Sequence, residues 1–262
     1  MRFDDDLNAC AALVQRGDAD RFLAVMAAPV AARAVLFPIY AMNLEVARAP
    51  WVTAEPMIAE MRLQWWRDAL AEIAAGGPAR RHEVITPLAR VLPAPAAADL
   101  DALVAARRWD IYRDPFADAA ALETYLDATA GTLAWAAARA LCPEIDAAAE
   151  PVIRDAAQAA GVAAWLQAVP DLEARGRIPL VDGTPEGVRA LARAGRTRLA
   201  RARARRGAVP AAARPALLPG WQAGAILDQA IADPGRVARG DLGLSGARKR
   251  LMLMLRAASG RW

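Results

Sequence analysis

The chain has 262 residues, of which 56% are hydrophobic and 24% charged, and a formal net charge of +4. This length and composition indicate a globular protein with a sizeable core and exclude a disordered chain. The only histidine, His82, excludes a metal site or a proton relay built from several histidines. Cys10 and Cys142 are far apart, and we expect two free thiols in a cytoplasmic protein. The acidic start does not resemble a signal peptide, and no stretch approaches the roughly 18 apolar residues of a spanning helix.

The first helices are indicated by capping residues and by helical spacing. Acidic residues at positions 4–6 suit a helix N-terminus, so we interpret them as caps rather than as metal ligands. Another helix is predicted to begin at Asp18 or Asp20. From Pro29 onwards, apolar residues recur at steps of four and three, which predicts a helix that ends by Ala49. These apolar residues are Val35, Ile39, Met42 and Val46.

The next predicted helix has Thr53 as its N-cap and Pro56 in its first turn. One apolar stripe on this helix is expected to face the core, and further apolar residues widen it. The stripe consists of Ile58, Met61, Trp65, Ala69 and Ile73.

Further helices are predicted in the middle of the chain. Asp114 and Asp118 are four residues apart, as in a magnesium motif, but Pro115 indicates a turn and Asp118 is interpreted as a helix cap. Gly131 lies inside a predicted helix, where its expected use is the close packing of a neighbour. The predicted helices cover residues 96–112, 119–141 and 147–168.

A loop over residues 170–184 precedes a helix that begins at Thr184 and is rich in arginine. Residues 189–206 include eight arginines and no acid, so this segment is either a solvated face or a surface for an anionic partner such as a membrane. Nucleic acid is not predicted, because no aromatic residues are interleaved. Residues 246–258 form the last predicted helix, which we expect to be buried. The basic surface would consist of Arg189, Arg193, Arg196, Arg198, Arg201 and Arg205.

Three segments carry a resemblance to a known family. They are Asp20-Arg21-Phe22-Leu23, the stretch at positions 36–46, and Gln64-Trp65-Trp66-Arg67. Together they resemble the opening of the squalene/phytoene synthase family, and the resemblance covers residues 20–180 best. It implies an all-α fold, a single-domain isoprenoid-synthase-like helical bundle. Members of that family join two prenyl diphosphates head to head, using magnesium held by two aspartate-rich motifs.

The chain departs from this family at both motifs. In the first motif, Ala47 and Arg48 fall where the resemblance places paired aspartates, and Trp51 falls where it places the third. In the second, the two aspartates fall on Ala168 and Leu172. Ala164 replaces the usual asparagine of the second motif. The only acids that remain are Glu45 in the first motif and Asp171 in the second, and Pro50 and Pro170 are expected to break the helices that carry them. We therefore predict no metal site and no cofactor, with magnesium required only if the protein is an enzyme.

The resemblance also implies a vestigial substrate pocket. Arg175 and Arg177 would either hold a diphosphate or form a basic surface loop. Bulky residues at 132–135 are expected to narrow the pocket. A hollow lined by Met42, Trp65 and Thr129 would favour retained lipid binding. The predicted pocket residues are Tyr40, Asn43, Glu45, Gln64, Trp65, Arg67, Tyr125, Gly131, Gln167, Asp171, Arg175 and Arg177.

Two functions follow from the resemblance. The first is a non-catalytic binding or assembly factor, similar to the branch of the family that includes the mitochondrial assembly factor for respiratory complex I. Its expected partner is a protein such as a respiratory complex subunit, with a prenyl lipid or an anionic membrane surface as further partners, and its location cytoplasmic or peripheral on the inner membrane. The alternative is a head-to-head prenyl transferase or a prenyl diphosphate-binding protein.

Overall fold

The computed structural model describes residues 4–262, and within that range the chain is helical throughout, without a strand. The predicted all-α fold is confirmed. The helices are α1 (Asp5–Gly17), α2 (Ala19–Ala27), α3 (Val30–Arg48), α4 (Pro56–Ala74), α5 (Ile85–Val91), α6 (Ala94–Ala106), α7 (Ala119–Leu126), α8 (Thr132–Leu141), α9 (Glu150–Ala174), α10 (Pro185–Ala204), α11 (Ala223–Ala232), α12 (Gly235–Arg239) and α13 (Gly246–Ser259).

Side-chain caps begin several of these helices where the sequence predicts them. Asp4 accepts a hydrogen bond from the backbone N–H of Leu7 at 2.9 Å, and Asp18 caps α2 in the same way. Asp118 caps α7, and Thr184 caps α10. Each cap satisfies an N–H group that has no partner within its own helix.

The central helix, α3, is buried over most of its length. Leu36, Ile39 and Met42 are inaccessible to solvent, and α1 packs along the helix. The expectation that no stretch is apolar enough to span a membrane needs correction, because α3 with the 3₁₀ turn Ala49–Trp51 meets that test by length and composition. However, 61% of its 18-residue apolar window is buried in the bundle. A core helix meets the same test of length and composition.

The predicted start and buried face of α4 need correction. The cap position is Glu55 rather than Thr53, whose hydroxyl instead accepts a hydrogen bond from the Glu55 N–H at 3.1 Å. Ile58 and Met61 are exposed, so the first half of the predicted stripe does not face the core. Because α4 is apolar on more than one side, the helical spacing of its apolar residues does not reveal which side packs against α6. The buried residues are Ala59, Leu63, Trp66, Ala69, Leu70 and Ile73.

The helix predicted over residues 119–141 is interrupted by a π-helical turn, Asp127–Gly131, between α7 and α8. The Asp127 carboxylate lies inside the turn and accepts hydrogen bonds from Gln158 at 2.7 Å and from Arg154 at 3.3 Å. A Cβ atom on Gly131 would overlap the Asp127 carboxylate. Gly131 therefore makes room for a carboxylate, and the expectation that it serves helix packing is wrong. That role belongs to Gly161, whose added Cβ would lie 2.9 Å from the Ala130 Cβ.

Two more helix predictions are corrected. Pro170 does not end α9, which continues to Ala174, so the following loop begins later than predicted. The helix predicted over residues 96–112 becomes α6 followed by a 3₁₀ turn, Arg107–Asp110. The last helix, α13, is not buried, because only Leu253 reaches the core, where it packs with Ala24 of α2.

Candidate binding cavity

A cavity of about 490 Å³ lies between α3, α9, α11 and the helix pair α7–α8. It exists because one row of α9 carries small side chains four residues apart, so that this face leaves space beside its neighbours. The chain is rich in alanine throughout, so these four alanines do not stand out as a pattern in the sequence. The row consists of Ala156, Ala160, Ala164 and Ala168, and it ends at Leu172.

Five of the six substituted positions that correspond to the two aspartate-rich motifs face this cavity, whereas Arg48 is exposed on α3. Ala47 and Trp51 line it from α3 and the turn that follows, and Ala164, Ala168 and Leu172 line it from α9. None of these five side chains carries an oxygen ligand. The walls that would hold a metal in the family pattern are therefore apolar in this chain.

The acids near the cavity are engaged elsewhere. Asp18 caps α2, and Asp20 accepts hydrogen bonds from Gln222 at 2.8 Å and from Lys249 at 2.7 Å. Glu45 lies 3.3 Å from Arg48 in an ion pair on α3. Among residues 4–262, no three His, Cys, Asp or Glu side chains are grouped so that they could hold a metal ion. Magnesium takes oxygen ligands in octahedral geometry, and the residues present do not fit it.

One end of the cavity contains a polar network of three side chains, in which the buried Nε of Arg107 has no hydrogen-bond partner among the described residues. The buried Asp110 carboxylate accepts a hydrogen bond from the Tyr125 hydroxyl at 3.1 Å, and Arg107 donates to the same hydroxyl at 2.9 Å. Arg107 also lies 3.2 Å from Asp110. Burial raises the pKa of Tyr125, and the pKa of Arg107 is raised on balance because Tyr125 and Asp110 outweigh the opposing effect of its burial. Tyr125 stays protonated and Arg107 stays charged, so the network fixes the cavity wall.

An aromatic cluster supports this end of the cavity. Trp109 stacks on Phe116 with ring centroids 4.1 Å apart, and Tyr125 and Trp165 pack around both rings. The Trp165 indole N–H donates to the Pro179 carbonyl at 2.9 Å. The four rings contact one another, and Trp165 is held by a hydrogen bond, whereas the buried indole N–H of Trp109 has no partner among the described residues.

Trp51 contacts two arginines at the end of α9 and in the loop that follows it. The guanidinium carbons of Arg175 and Arg177 each lie 4.9 Å from the Trp51 ring centroid. Arg177 is buried, and it donates to the carbonyl oxygens of Tyr112 and Asp110. Burial lowers the pKa of Arg177. Arg177 therefore does not belong to a basic surface loop, whereas Arg175 is exposed.

The structure brings four of the twelve predicted pocket residues to the cavity wall. Tyr40 donates a long hydrogen bond of 3.4 Å to the Ala216 carbonyl, and Asn43 is buried one turn further along α3. The other two are Tyr125 and Gln167. Of the expected hollow, only Thr129 lines the cavity, because Met42 is in the core and Trp65 packs against His82 at 5.2 Å. Of the segment expected to narrow the pocket, Leu133 and Ala134 line the cavity, whereas Trp135 lies in the core.

The other predicted pocket residues lie away from the cavity wall. Gln64 donates to Asp68 at 2.7 Å, and Arg67 makes a 2.7 Å ion pair with Asp101. Asp171 is exposed near the end of α9. The remaining positions outside the wall are Glu45, Trp65, Gly131, Arg175 and Arg177.

Most of the predicted basic surface is engaged within the fold. Arg196 lies 2.8 Å from Asp228, while Arg198 and Arg201 both pair with Asp155. Arg189 donates to the Ile231 carbonyl at 3.2 Å. Arg193 and Arg205 are exposed. The segment thus joins α10 to α9 and α11 and leaves few arginines for an external partner.

Comparison with solved structures identifies the class of fold. The chain superposes on a dehydrosqualene synthase in complex with ligand with a TM-score of 0.78 and 15% identity, over 97% of this chain and 95% of that one. It also superposes on squalene synthase HpnC from Alicyclobacillus acidocaldarius with a TM-score of 0.68 and 19% identity, over 86% and 92% of the two chains. Both likenesses define an all-α isoprenoid-synthase-like bundle.

The family follows from the sequence itself. The squalene/phytoene synthase family model matches residues 14–181. The chain therefore belongs to the squalene/phytoene synthase family. No curated protein sequence matches it.

Proposed function

We propose that this protein is a non-catalytic member of its family that acts by binding, with a prenyl or similarly apolar chain as its small ligand. The observation that supports this most directly is the row of motif positions that face the cavity with apolar side chains, from Ala47 and Trp51 to Leu172. A head-to-head condensation would need magnesium to hold the diphosphates, and these walls offer it no ligands.

The character of the cavity supports an apolar ligand with an uncharged head group. Its volume of about 490 Å³ is within the usual range for small-molecule sites. Arg21 and Arg107 are the arginines in its wall, and each is paired with an aspartate, at 3.2 Å from Asp18 and from Asp110 respectively. A bound diphosphate would therefore find no unpaired arginine in this wall. An alcohol could donate a hydrogen bond to the amide oxygen of Asn43, and a carbonyl group could accept one from its amide nitrogen.

Titration calorimetry with farnesol and with farnesyl diphosphate, each with and without magnesium, tests this proposal. We expect farnesol to bind independently of magnesium and no condensed product to form. An Ala164→Phe variant should weaken that binding about tenfold or more because its ring fills the cavity. Ala194→Phe, on the exposed face of α10, is the matched control.

The opposite result is equally specific. Magnesium-dependent binding of farnesyl diphosphate together with any condensed product would overturn the proposal and favour the prenyl transferase. Glu45 and Asp171 would then be the first residues to substitute. No binding of either compound would exclude a prenyl ligand for the cavity.

A protein partner is the second part of the proposal, in line with the branch of the family that assists respiratory complex I assembly. An exposed apolar patch at the start of α4 favours such a contact. The patch consists of Val52, Met57, Ile58 and Met61. In cells that lack the protein, we expect less assembled complex I, restored by the wild type but not by Met57→Ser/Met61→Ser. Equal restoration by this variant would exclude the patch as the contact surface.

A further inference from the structure

The last helix, α13, presents an apolar face to solvent. Leu251, Met254 and Leu255 are 55%, 62% and 62% exposed and lie three and four residues apart, so they share one side of the helix. The opposite side, through Leu253, packs against Ala24 of α2. Stable folding does not require this outward apolar face, since none of its three side chains is buried.

The charge around this face has one sign. Residues 242–262 contain five basic side chains and no acid. Lys249 is paired with Asp20 at 2.7 Å, while Arg248, Arg250 and Arg261 are exposed. An apolar helical face with basic residues on its flanks is typical of helices that lie in the plane of a membrane interface.

Behind α13 lies a second cavity, of about 520 Å³, whose wall is rich in arginine. The acids in the wall are already engaged, because Asp228 pairs with Arg196 and Asp233 pairs with Arg239 outside the cavity. The five arginines of the wall are Arg196, Arg203, Arg236, Arg248 and Arg256.

Arg203 shows that the two aspartates of this wall do not satisfy all of its arginines. Its Nε donates to the main-chain oxygen of Trp262 at 3.1 Å, but its buried Nη2 has no hydrogen-bond partner in the part of the chain that the structure describes. Burial, and then the positive charges of Arg256, Arg196 and Arg206, lower the pKa of Arg203 to about 10. A buried donor without a partner is costly, and a bound anion would relieve both the lost hydrogen bond and the repulsion.

We propose that α13 docks this protein on an anionic phospholipid bilayer, with Leu251, Met254 and Leu255 entering the interface and the arginine cavity behind the helix receiving a lipid phosphate group. The two observations are independent, and one occupant accounts for both. A soluble anion would not explain the exposed apolar face. An uncharged apolar partner would not explain Arg203, Arg248 and Arg256, the wall arginines that have no ion-pair partner within residues 4–262.

This surface differs from the one that the sequence suggests. Three of the basic residues on α10, Arg196, Arg198 and Arg201, are in ion pairs within the fold. The exposed arginines that remain on α10 have no large exposed apolar side chain of that helix beside them, whereas those of α13 do. The pair between Lys249 and Asp20 also joins α13 to the wall of the first cavity, which Asp20 lines. The docking proposal does not depend on what that cavity binds.

Vesicle sedimentation with the full chain tests the proposal. The probes are phosphatidylcholine vesicles with and without phosphatidylglycerol, each at low and high salt. We expect binding to the anionic vesicles at low salt, weakened at high salt, because the basic groups near the surface are screened. Met254→Ser/Leu255→Ser should weaken binding about tenfold or more, and so should Arg248→Glu.

Matched variants control for changes in total charge and apolar surface. Ile178→Ser/Val181→Ser removes exposed apolar surface from the loop after α9, and Arg193→Glu reverses an exposed arginine on α10. Both should bind as the wild type does. All four altered side-chain sets are exposed, and thermal unfolding checks that each variant is folded.

Three outcomes would overturn the proposal. The first is binding by the α13 variants equal to that of the controls. The second is equal binding to vesicles with and without phosphatidylglycerol. The third is absence of vesicle binding. If inorganic phosphate, but not chloride at the same ionic strength, then raised the temperature of thermal unfolding, the cavity would be a site for a soluble anion.

Discussion

The polar network at the end of the first cavity makes a quantitative prediction about stability. In an Asp110→Asn variant, the amide keeps the shape of the side chain and can still accept a hydrogen bond from Tyr125, but the Arg107 guanidinium loses its counter-charge. The two side chains are only 20% and 4% exposed, for Arg107 and Asp110 respectively, so solvent screens their interaction weakly. Removing one partner of a buried ion pair typically costs about 3–5 kcal/mol. We expect a loss of about 3 kcal/mol, at the lower end, because Arg107 retains its hydrogen bond to Tyr125.

Urea unfolding at neutral pH measures this loss, and Asp101→Asn is the matched control. Asp101 pairs with Arg67 at 2.7 Å, but both side chains are more than one third exposed. A pair in that setting contributes at most about 1 kcal/mol. If Asp110→Asn cost no more than Asp101→Asn, the account of the network as a buried charge pair would be refuted. A double variant, Arg107→Gln/Asp110→Asn, should lose less than the sum of its single variants, because the two residues are coupled.

Two further predictions concern Gly131 and the cysteines. Gly131→Ala should lower the free energy of unfolding by about 1–3 kcal/mol because the new methyl group displaces the Asp127 carboxylate, whereas Gly207→Ala, in open space, should not be destabilising. Destabilisation by both variants equally in urea would contradict this explanation. Burial raises the pKa of the Cys10 thiol from 9.0 to about 12, so in the folded protein a thiol reagent at pH 8 should react with Cys142 and reach Cys10 only after unfolding. Because the folded-state pKa is the higher one, Cys10 contributes stability below pH 9.0 that is lost as the pH rises towards 12, and Cys10→Ala should flatten that limb of the stability profile.

The family resemblance identified residues that line the first cavity, but it did not predict the size or position of the cavity itself. Six substituted motif positions were identified from the sequence, and five of them line the hollow, all except the exposed Arg48. The hollow itself depends on an alanine row of α9 lying opposite α3 and α8, a juxtaposition that no local pattern records. Most of the other predicted pocket residues lie elsewhere, since being near a motif in sequence does not set which way a side chain points.

The sequence also did not show which basic residues are paired with acids in the folded protein. The arginines of α10 stand out in the sequence, but their ion partners Asp155 and Asp228 come from α9 and α11, far away in the chain. The arginine cavity behind α13 combines residues from distant segments, from Arg203 to Arg256, and does not appear as a cluster in the sequence. Which charges are satisfied is decided by the packing of helices.

By itself, the sequence determined the helical class of this protein, most of its helix starts and the loss of both aspartate-rich motifs. Those features depend on short-range chemistry, such as the caps at Asp4 and Thr184, or on which side chains are present at all. Tertiary structure alone decided the buried face of α4, the exposure of α13 and the turn that holds Asp127. A helix that is apolar on several sides has no preferred face until its neighbours are in place, and a carboxylate turns inward only where Arg154 and Gln158 of another helix meet it.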